Sequence, residues 1–288
     1  MKQSTRNARD GLLLTAPLVL GCLIFYAIPF VMVVIHSLSR GAGNSRRFVG
    51  LQNYENILRN DLFQLAFGNT LKFLVIALPL ILVVAYAIAL LLKNQVKKHQ
   101  TLKSVILLPY IMPVVGTVLT VDLLFTDAGL VNRGLSLLGL PIQDWLNSEY
   151  AFWIVVGLYL WKNTGYAVIL LLSGLVTIPD DLYESADIDG GSKWQQFWYI
   201  TVPQMWYSVF FAMVFSLINA FKCFREIFLI GGTRPNDSIY MLQHFINNSF
   251  ENLNYPKLGV ASVLLLIVLA VLFTVSYRWV MKKEAFRE

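Results

Sequence analysis

The stretch YESADIDGGSKWQQFWYITVP, residues 183–203, sets acids, a glycine pair and a row of aromatics between two long apolar segments. Its reading decides the fold, because these letters suit either a loop of a soluble protein or a knob on the face of a membrane protein. The flanks choose between them. The 288-residue chain is 57% hydrophobic and only 14% charged, a composition for which lipid is the main solvent. A bilayer core asks for about 20 apolar residues per helical span. Segments near 12–36, 70–92, 104–125, 152–176, 205–230 and 259–281 meet that length or nearly so. The expected fold class is therefore all-α, a polytopic membrane protein of six transmembrane helices, with 183–203 in the loop between the fourth and the fifth.

Within that loop, Pro179 followed by Asp180 and Asp181 reads as a helix start, with acids over the positive end of the dipole. Leu182, Tyr183 and Ala186 make an apolar strip while Glu184 and Asp187 stay wet. Gly190 and Gly191 supply the left-handed geometry that closes a helix, and Ser192 with Gln195 forms a capping box that opens another. Trp194, Phe197, Trp198 and Thr201 then recur at helical spacing, and Pro203 ends the second helix. The expectation is a helix, glycine turn, helix knob with five carboxylates, Asp180, Asp181, Glu184, Asp187 and Asp189, against one lysine. It fits a socket on another protein, or else an interfacial loop whose aromatics lie among headgroups; local chemistry leaves both open.

An even number of spans puts both termini on one side, and lysine and arginine choose it. With the termini inside, the inner segments hold twelve cations (Lys2, Arg6, Arg9, Lys93, Lys97, Lys98, Lys103, Lys193, Arg278, Lys282, Lys283, Arg287) and the outer ones seven. Both ends are thus expected in the cytoplasm, and the net charge of +6 follows from topology, with no nucleic-acid ligand required. The organisation reads as a cytoplasmic tail at 1–11, a six-span domain at 12–281 with the knob in an inner loop at 177–204, and a second tail at 282–288. The first span reads as an uncleaved anchor. Pro17, Pro29, Pro79, Pro109 and Pro113 punctuate the spans, and helix breaks at membrane depth favour a conduit over a simple anchor. Cys22 and Cys223 fall inside spans and are expected as packed thiols. His36, His99 and His244 lack metal-ligand spacing.

The run ESADIDGGSKWQQFWYITVP resembles the EAA signature, E-A-A-x-x-D-G-A-x-x-x-x-x-F-x-x-I-x-L-P, of binding-protein-dependent ABC importer permeases. Glu184, Ala186, Asp189, Gly190, Phe197, Ile200 and Pro203 match, while Ser185, Gly191 and Val202 depart by small or aliphatic swaps. LTAPLVL, FVGLQNY, NTLKF, WKNTGY and GGTRPNDS are similar to the sugar-type permeases of this class, so the resemblance covers nearly the whole chain. It implies the architecture of a type I importer permease in the inner membrane. It also implies a second related permease, two cytoplasmic ATPases that bind ATP and Mg²⁺, an extracytoplasmic binding protein and a carbohydrate solute, with no cofactor in this chain. Glu184, Ser185, Ala186, Asp187, Asp189, Gly190 and Phe197 would then couple the ATPase to the spans.

Polar residues inside spans mark a solute path by default. Lys162, Asn163 and Tyr166 lie near the middle of the fourth span, and Asn219, Lys222 and Glu226 recur on one face of the fifth, with Arg225 one turn beyond Lys222. Tyr166 with Phe221 or Phe224 offers aromatic faces to a sugar. Lys222 and Glu226 also stand at i and i+4, where they neutralise each other, and Lys162 is long enough to snorkel. Lys222 with Arg225 suits an anionic solute such as a sugar phosphate. The chain holds no G-x-x-x-x-G-K-[ST] run, and no carboxylate pair or nucleophile–base set marks it as an enzyme. An ion-coupled secondary transporter is the alternative, with Lys162, Lys222 and Glu226 as a relay.

Overall fold

The computed structural model describes residues 11, 14–41, 46–93 and 101–284. Lys2, Arg6, Arg9, Lys97, Lys98, His99 and Arg287, with most of both tails, lie outside the described residues. Among the described residues six stretches are long and apolar enough to cross a membrane: Leu14–Ser37, Asp61–Leu92, Val114–Leu137, Tyr150–Thr177, Trp206–Gly231 and Tyr255–Arg278. In chain order the elements are α1 (Leu14–Ser37), a two-stranded ribbon of β1 (Ser39–Arg40) and β2 (Arg47–Phe48), α2 (Gln52–Leu58), α3 (Asp61–Leu92), α4 (Thr101–Ile111) and α5 (Val114–Phe125). There follow α6 (Leu130–Leu137), α7 (Tyr150–Thr177), α8 (Asp180–Ile188), α9 (Lys193–Gln196), α10 (Val202–Gln204), α11 (Trp206–Lys222), α12 (Phe224–Gly231), α13 (Leu242–Glu251) and α14 (Tyr255–Glu284). The ribbon, which pairs Ser39 with Phe48 and Arg40 with Arg47, is the small exception to otherwise helical regular structure among the described residues.

Two compact units share these elements. One comprises Met1–Gln64 with Phe245–Val268. In it the Asn53 amide donates to the carbonyls of Ser37 (3.0 Å) and Ser39 (2.9 Å), tying α2 to the end of α1. A Cβ on Gly259 would stand 2.7 Å from the Ser37 nitrogen and 2.8 Å from the Val33 carbonyl, so only glycine admits this approach of α14 to α1. His36 stacks on Tyr255 at 5.2 Å.

The other unit, Leu65–His244 with Leu269–Glu288, is organised on α7. Half of its most apolar window is buried, and it supplies Val155, Tyr159, Val168, Leu171 and Leu175 to a core completed by α3 and α11. Along α3, Ala77, Ala85 and Ala89 lie with Ile81 at four-residue steps with no exposure, and the three alanines are the small residues that let membrane helices close up. Gly165 and Gly174 serve α7 in the same way. A Cβ would run into the Ile106 carbonyl of α4 in the first case and Ser208 Oγ of α11 in the second.

The prolines act in three ways. Pro79 and Pro109 stay inside α3 and α4 without ending them, contrary to the breaks expected from sequence. Pro113, extended at ψ 147°, splits the expected third span of 104–125 into α4 and α5, because the residue before a proline is driven out of the helical region. Pro29 and Pro203 each follow a wide π turn by two residues, at Leu23–Ala27 and Phe197–Thr201. A proline clashes with the carbonyl four residues back, and one extra residue in the turn relieves the clash without a kink. Cys22 is exposed on α1 rather than packed, whereas Cys223 is buried where α11 gives way to α12.

Candidate functional site

Two places carry the residues singled out by sequence. The first is a polar cavity of about 230 Å³ between α4, α7 and the junction of α11 with α12. Its lining includes Lys162, Asn163, Asn219, Lys222, Arg225 and Glu226. Five of the six expected path residues thus meet in one place. Tyr166, the sixth, stands behind the lining: it stacks at 4.7 Å on Tyr110, which does line the cavity, and takes the edge of Phe215 at 5.7 Å.

The pairing inside the cavity differs from the one local spacing suggests. Glu226 bonds Lys162 Nζ across 2.5 Å, from the fifth span to the fourth, and not Lys222 one turn away. The cause lies in the backbone. Cys223 separates α11 from α12, so the two helical faces are not continuous, and Lys162 is turned inward rather than snorkelling. Both partners are largely buried, at 14% and 5% side-chain exposure, and the second carboxylate oxygen of Glu226 is buried without a partner among the described residues. Lys222 and Arg225 are exposed. Asn163 is buried and donates to the Tyr159 carbonyl (2.8 Å), while the Tyr159 hydroxyl donates to the Ser216 carbonyl (2.7 Å). The expected aromatics Phe221 and Phe224 lie elsewhere: Phe221 packs on the core and Phe224 against Phe228 and His244. Tyr110 and Tyr159 take their place in the lining. Tyr110 was legible only as an aromatic beside Pro109.

A larger cavity of about 480 Å³ between α5 and α7 is lined by Trp145, Trp153 and Trp161 among other apolar groups. It has almost nothing to orient a hydroxylated solute.

The second place is the knob. Asp180 opens α8 with Pro179 as its cap. The helix closes at Gly190, whose φ is +79°, and the Gly191 amide donates to the Ala186 carbonyl at 2.8 Å. Ser192 and Gln195 exchange both bonds of the capping box. Lys193 and Gln196 donate to the Asp187 carboxyl at 2.9 and 2.6 Å, fastening the turn and holding that carboxyl below the usual carboxylate range. Glu184, Ser185, Asp187, Asp189 and Gly190 are exposed; Ala186 and Phe197 are half-buried. Leu182 and Trp194 remain exposed at 39% and 70%, so the apolar strips of this helix pair are not used up within the chain.

Two contacts join the knob to α3 and the residue that follows it, and a third ties its two helical parts together. Phe197 meets the ring of Tyr86 on α3 edge-on at 6.0 Å, the Tyr183 hydroxyl is 2.9 Å from Thr201 Oγ1, and Lys93 lies over the Tyr183 ring at 4.2 Å. Packed rings thus connect the helix pair that carries the exposed acids to the C-terminal end of α3.

Residues 67–284 match the model of a protein family described as binding-protein-dependent transport system inner membrane component. The chain is 31% identical over 280 residues to the trehalose/maltose transport system permease protein MalF of Thermococcus litoralis, spanning 96% of this chain and 95% of that protein. It is 29% identical over 269 residues to the arabinooligosaccharides transport system permease protein AraP of Bacillus subtilis, spanning 92% and 85%. In three dimensions it resembles a chain in the crystal structure of a bacterial ABC transporter involved in the import of the acidic polysaccharide alginate. The TM-score is 0.79 at 20% identity, with 98% of this chain and 99% of that one covered, a likeness that speaks for the fold.

Proposed function

The chain belongs to the family of binding-protein-dependent transport system inner membrane components, and from that premise we propose how this permease subunit of an ABC importer works and what it carries. The family is one of transport permeases rather than enzymes, and its members sit in the inner membrane with several spans. The proposed cargo is a carbohydrate, an oligosaccharide or a related glycoside, delivered by an extracytoplasmic binding protein. This chain and a second related permease form the path. Two cytoplasmic ATPases bind ATP and Mg²⁺, and both termini of this chain lie on their side of the membrane.

The observation that carries this reading is the knob. Its backbone is fixed internally by the glycine turn, the capping box and the Asp187 bonds, yet Glu184, Asp187, Asp189 and the apolar Leu182 and Trp194 face outward. A rigid, acidic and partly apolar element suits a groove on a partner protein. In this reading ATP closes the ATPase pair, the groove moves, and the knob passes the motion through Phe197 and Tyr183 to α3. The polar cavity is the part of the solute path that this chain contributes, with Lys162, Asn163, Asn219, Lys222 and Glu226 in its wall and Tyr166 bracing Tyr110 from behind.

Glu184→Lys tests the coupling role in proteoliposomes that contain the whole importer and its binding protein. The expected result is an assembled or partly assembled complex in which hydrolysis no longer drives uptake, with uptake down about tenfold or more, the scale on which a reversed charge at an interface acts. Normal uptake with normal binding-protein-stimulated hydrolysis would remove Glu184 from the coupling path. Uptake that persists without any ATPase subunit would favour an ion-driven transporter instead.

A further inference from the structure

We propose that the polar cavity selects glycosides that carry an oxyanion, a carboxylate or a phosphate, and that Lys222 and Arg225 read this charge; the proposal rests on the importer reading above. The lining holds three cations, Lys162, Lys222 and Arg225, against one carboxylate, Glu226. One oxygen of that carboxylate is committed to Lys162, and the other is buried without a partner among the described residues. Its ion pair with Lys162 is short and largely buried, and it joins two spans, so it serves as scaffold rather than as a free site. Lys222 and Arg225 are exposed, and their side chains make no ion pair or hydrogen bond with another described residue. Two uncompensated cations beside a cavity in a low-dielectric setting raise the affinity for an anion there and give nothing comparable to a neutral ring.

The neutral groups point the same way. A neutral sugar is held by planar amides and hydroxyls that pair with each of its own. Here the Tyr159 hydroxyl and the Asn163 amide nitrogen are bonded to backbone carbonyls. Among the lining residues this leaves Asn219, the Asn163 oxygen and the Tyr110 hydroxyl, fewer hydrogen-bonding groups than a disaccharide presents. Arginine adds a planar fork that matches carboxylate and phosphate geometry, and lysine adds a mobile point charge. Tyr110, braced by its stack on Tyr166, offers a flat face for the sugar ring.

The test uses the assembled importer, both permeases and both ATPases, in nanodiscs without nucleotide. Calorimetry measures direct binding of trehalose, trehalose 6-phosphate and a disaccharide containing glucuronic acid. The phosphorylated and uronate probes should bind about tenfold tighter than trehalose, an advantage of the size one well-placed charge contact gives. Raising salt should shrink that advantage. Lys222→Gln combined with Arg225→Gln should abolish it, bringing the three probes to one affinity, and Lys222→Arg combined with Arg225→Lys should keep it for the phosphate.

Gel filtration confirms that each variant assembles, and Arg225→Gln alone replaces the double variant if that one does not. Equal affinity for the three probes overturns the proposal. So does a preference that survives loss of both cations, or an importer that binds none of the probes while still coupling hydrolysis to uptake. Failure of the importer reading looks different: no ATPase in the assembly, or no stimulation of hydrolysis by the binding protein.

Discussion

Glu226 shows how far single residues can be read from sequence. Its spacing from Lys222 invites a local pair, and both side chains do line one cavity, but the bond goes to Lys162, 64 positions away. Periodicity reports which residues share a helix face; it is silent about which distant helix supplies the opposite charge. The same limit hides His244, which has no metal-ligand spacing and no obvious work in the sequence. It is fully buried, its Nδ1 accepts from the Met241 amide, and Tyr240, Phe224 and Phe228 surround it. Burial pushes its pKa down to about 4 from 6.5. Below pH 6.5 the unfolded chain therefore takes a proton that the folded one refuses, and stability falls until the pH passes the folded value near 4. Thermal unfolding should show a loss of about 3 kcal/mol across that window. His244→Gln, which keeps an acceptor for Met241, should lack that part of the slope; identical slopes would mean that the histidine is not held neutral.

At the scale of elements, the knob is where sequence and structure agree most closely. A proline–acid helix start, a glycine pair and a capping box are local devices, each complete within a few residues, and they are found where their letters stand. The spans agree less well. A proline reads as a break, yet Pro79 leaves α3 whole, and Pro29 and Pro203 are answered by wide turns that no local pattern announces. The glycines of α7 make the contrast testable. A Cβ at Gly165 would enter the Ile106 carbonyl, whereas Gly157 on the same helix faces open space. Gly165→Ala should part α4 from α7 and cost about 3 kcal/mol, the upper range for overpacking, and it should also disturb the Tyr110–Tyr166 stack. Gly157→Ala should cost nothing measurable. Detergent unfolding of the two variants side by side checks this, and equal stability would mean that α4 yields freely.

Across the whole molecule the six span-length stretches are unequal in burial: half of the fourth window is buried, 17% of the sixth and none of the first. Composition does not reveal this, because every span is greasy and lipid rewards an exposed leucine as well as a packed one does. Only close approach separates them, through the alanine stripe of α3 and the glycines of α7. Leu171, with no exposure, and Leu18, 70% exposed, measure the difference. Leu171→Ala should cost about 2–5 kcal/mol through the cavity it leaves, while Leu18→Ala should cost well under half of that in the isolated chain. Equal losses in an unfolding titration would contradict a core centred on α7. Chain length has its own tight point, at the wide turn ahead of Pro203. One residue is about 100° of helix. A descendant that gained or lost a single residue between 197 and 201 would swing Trp194 and Trp198 toward a different neighbour. Insertions and deletions, more than substitutions, are therefore the changes this junction has least room to accept.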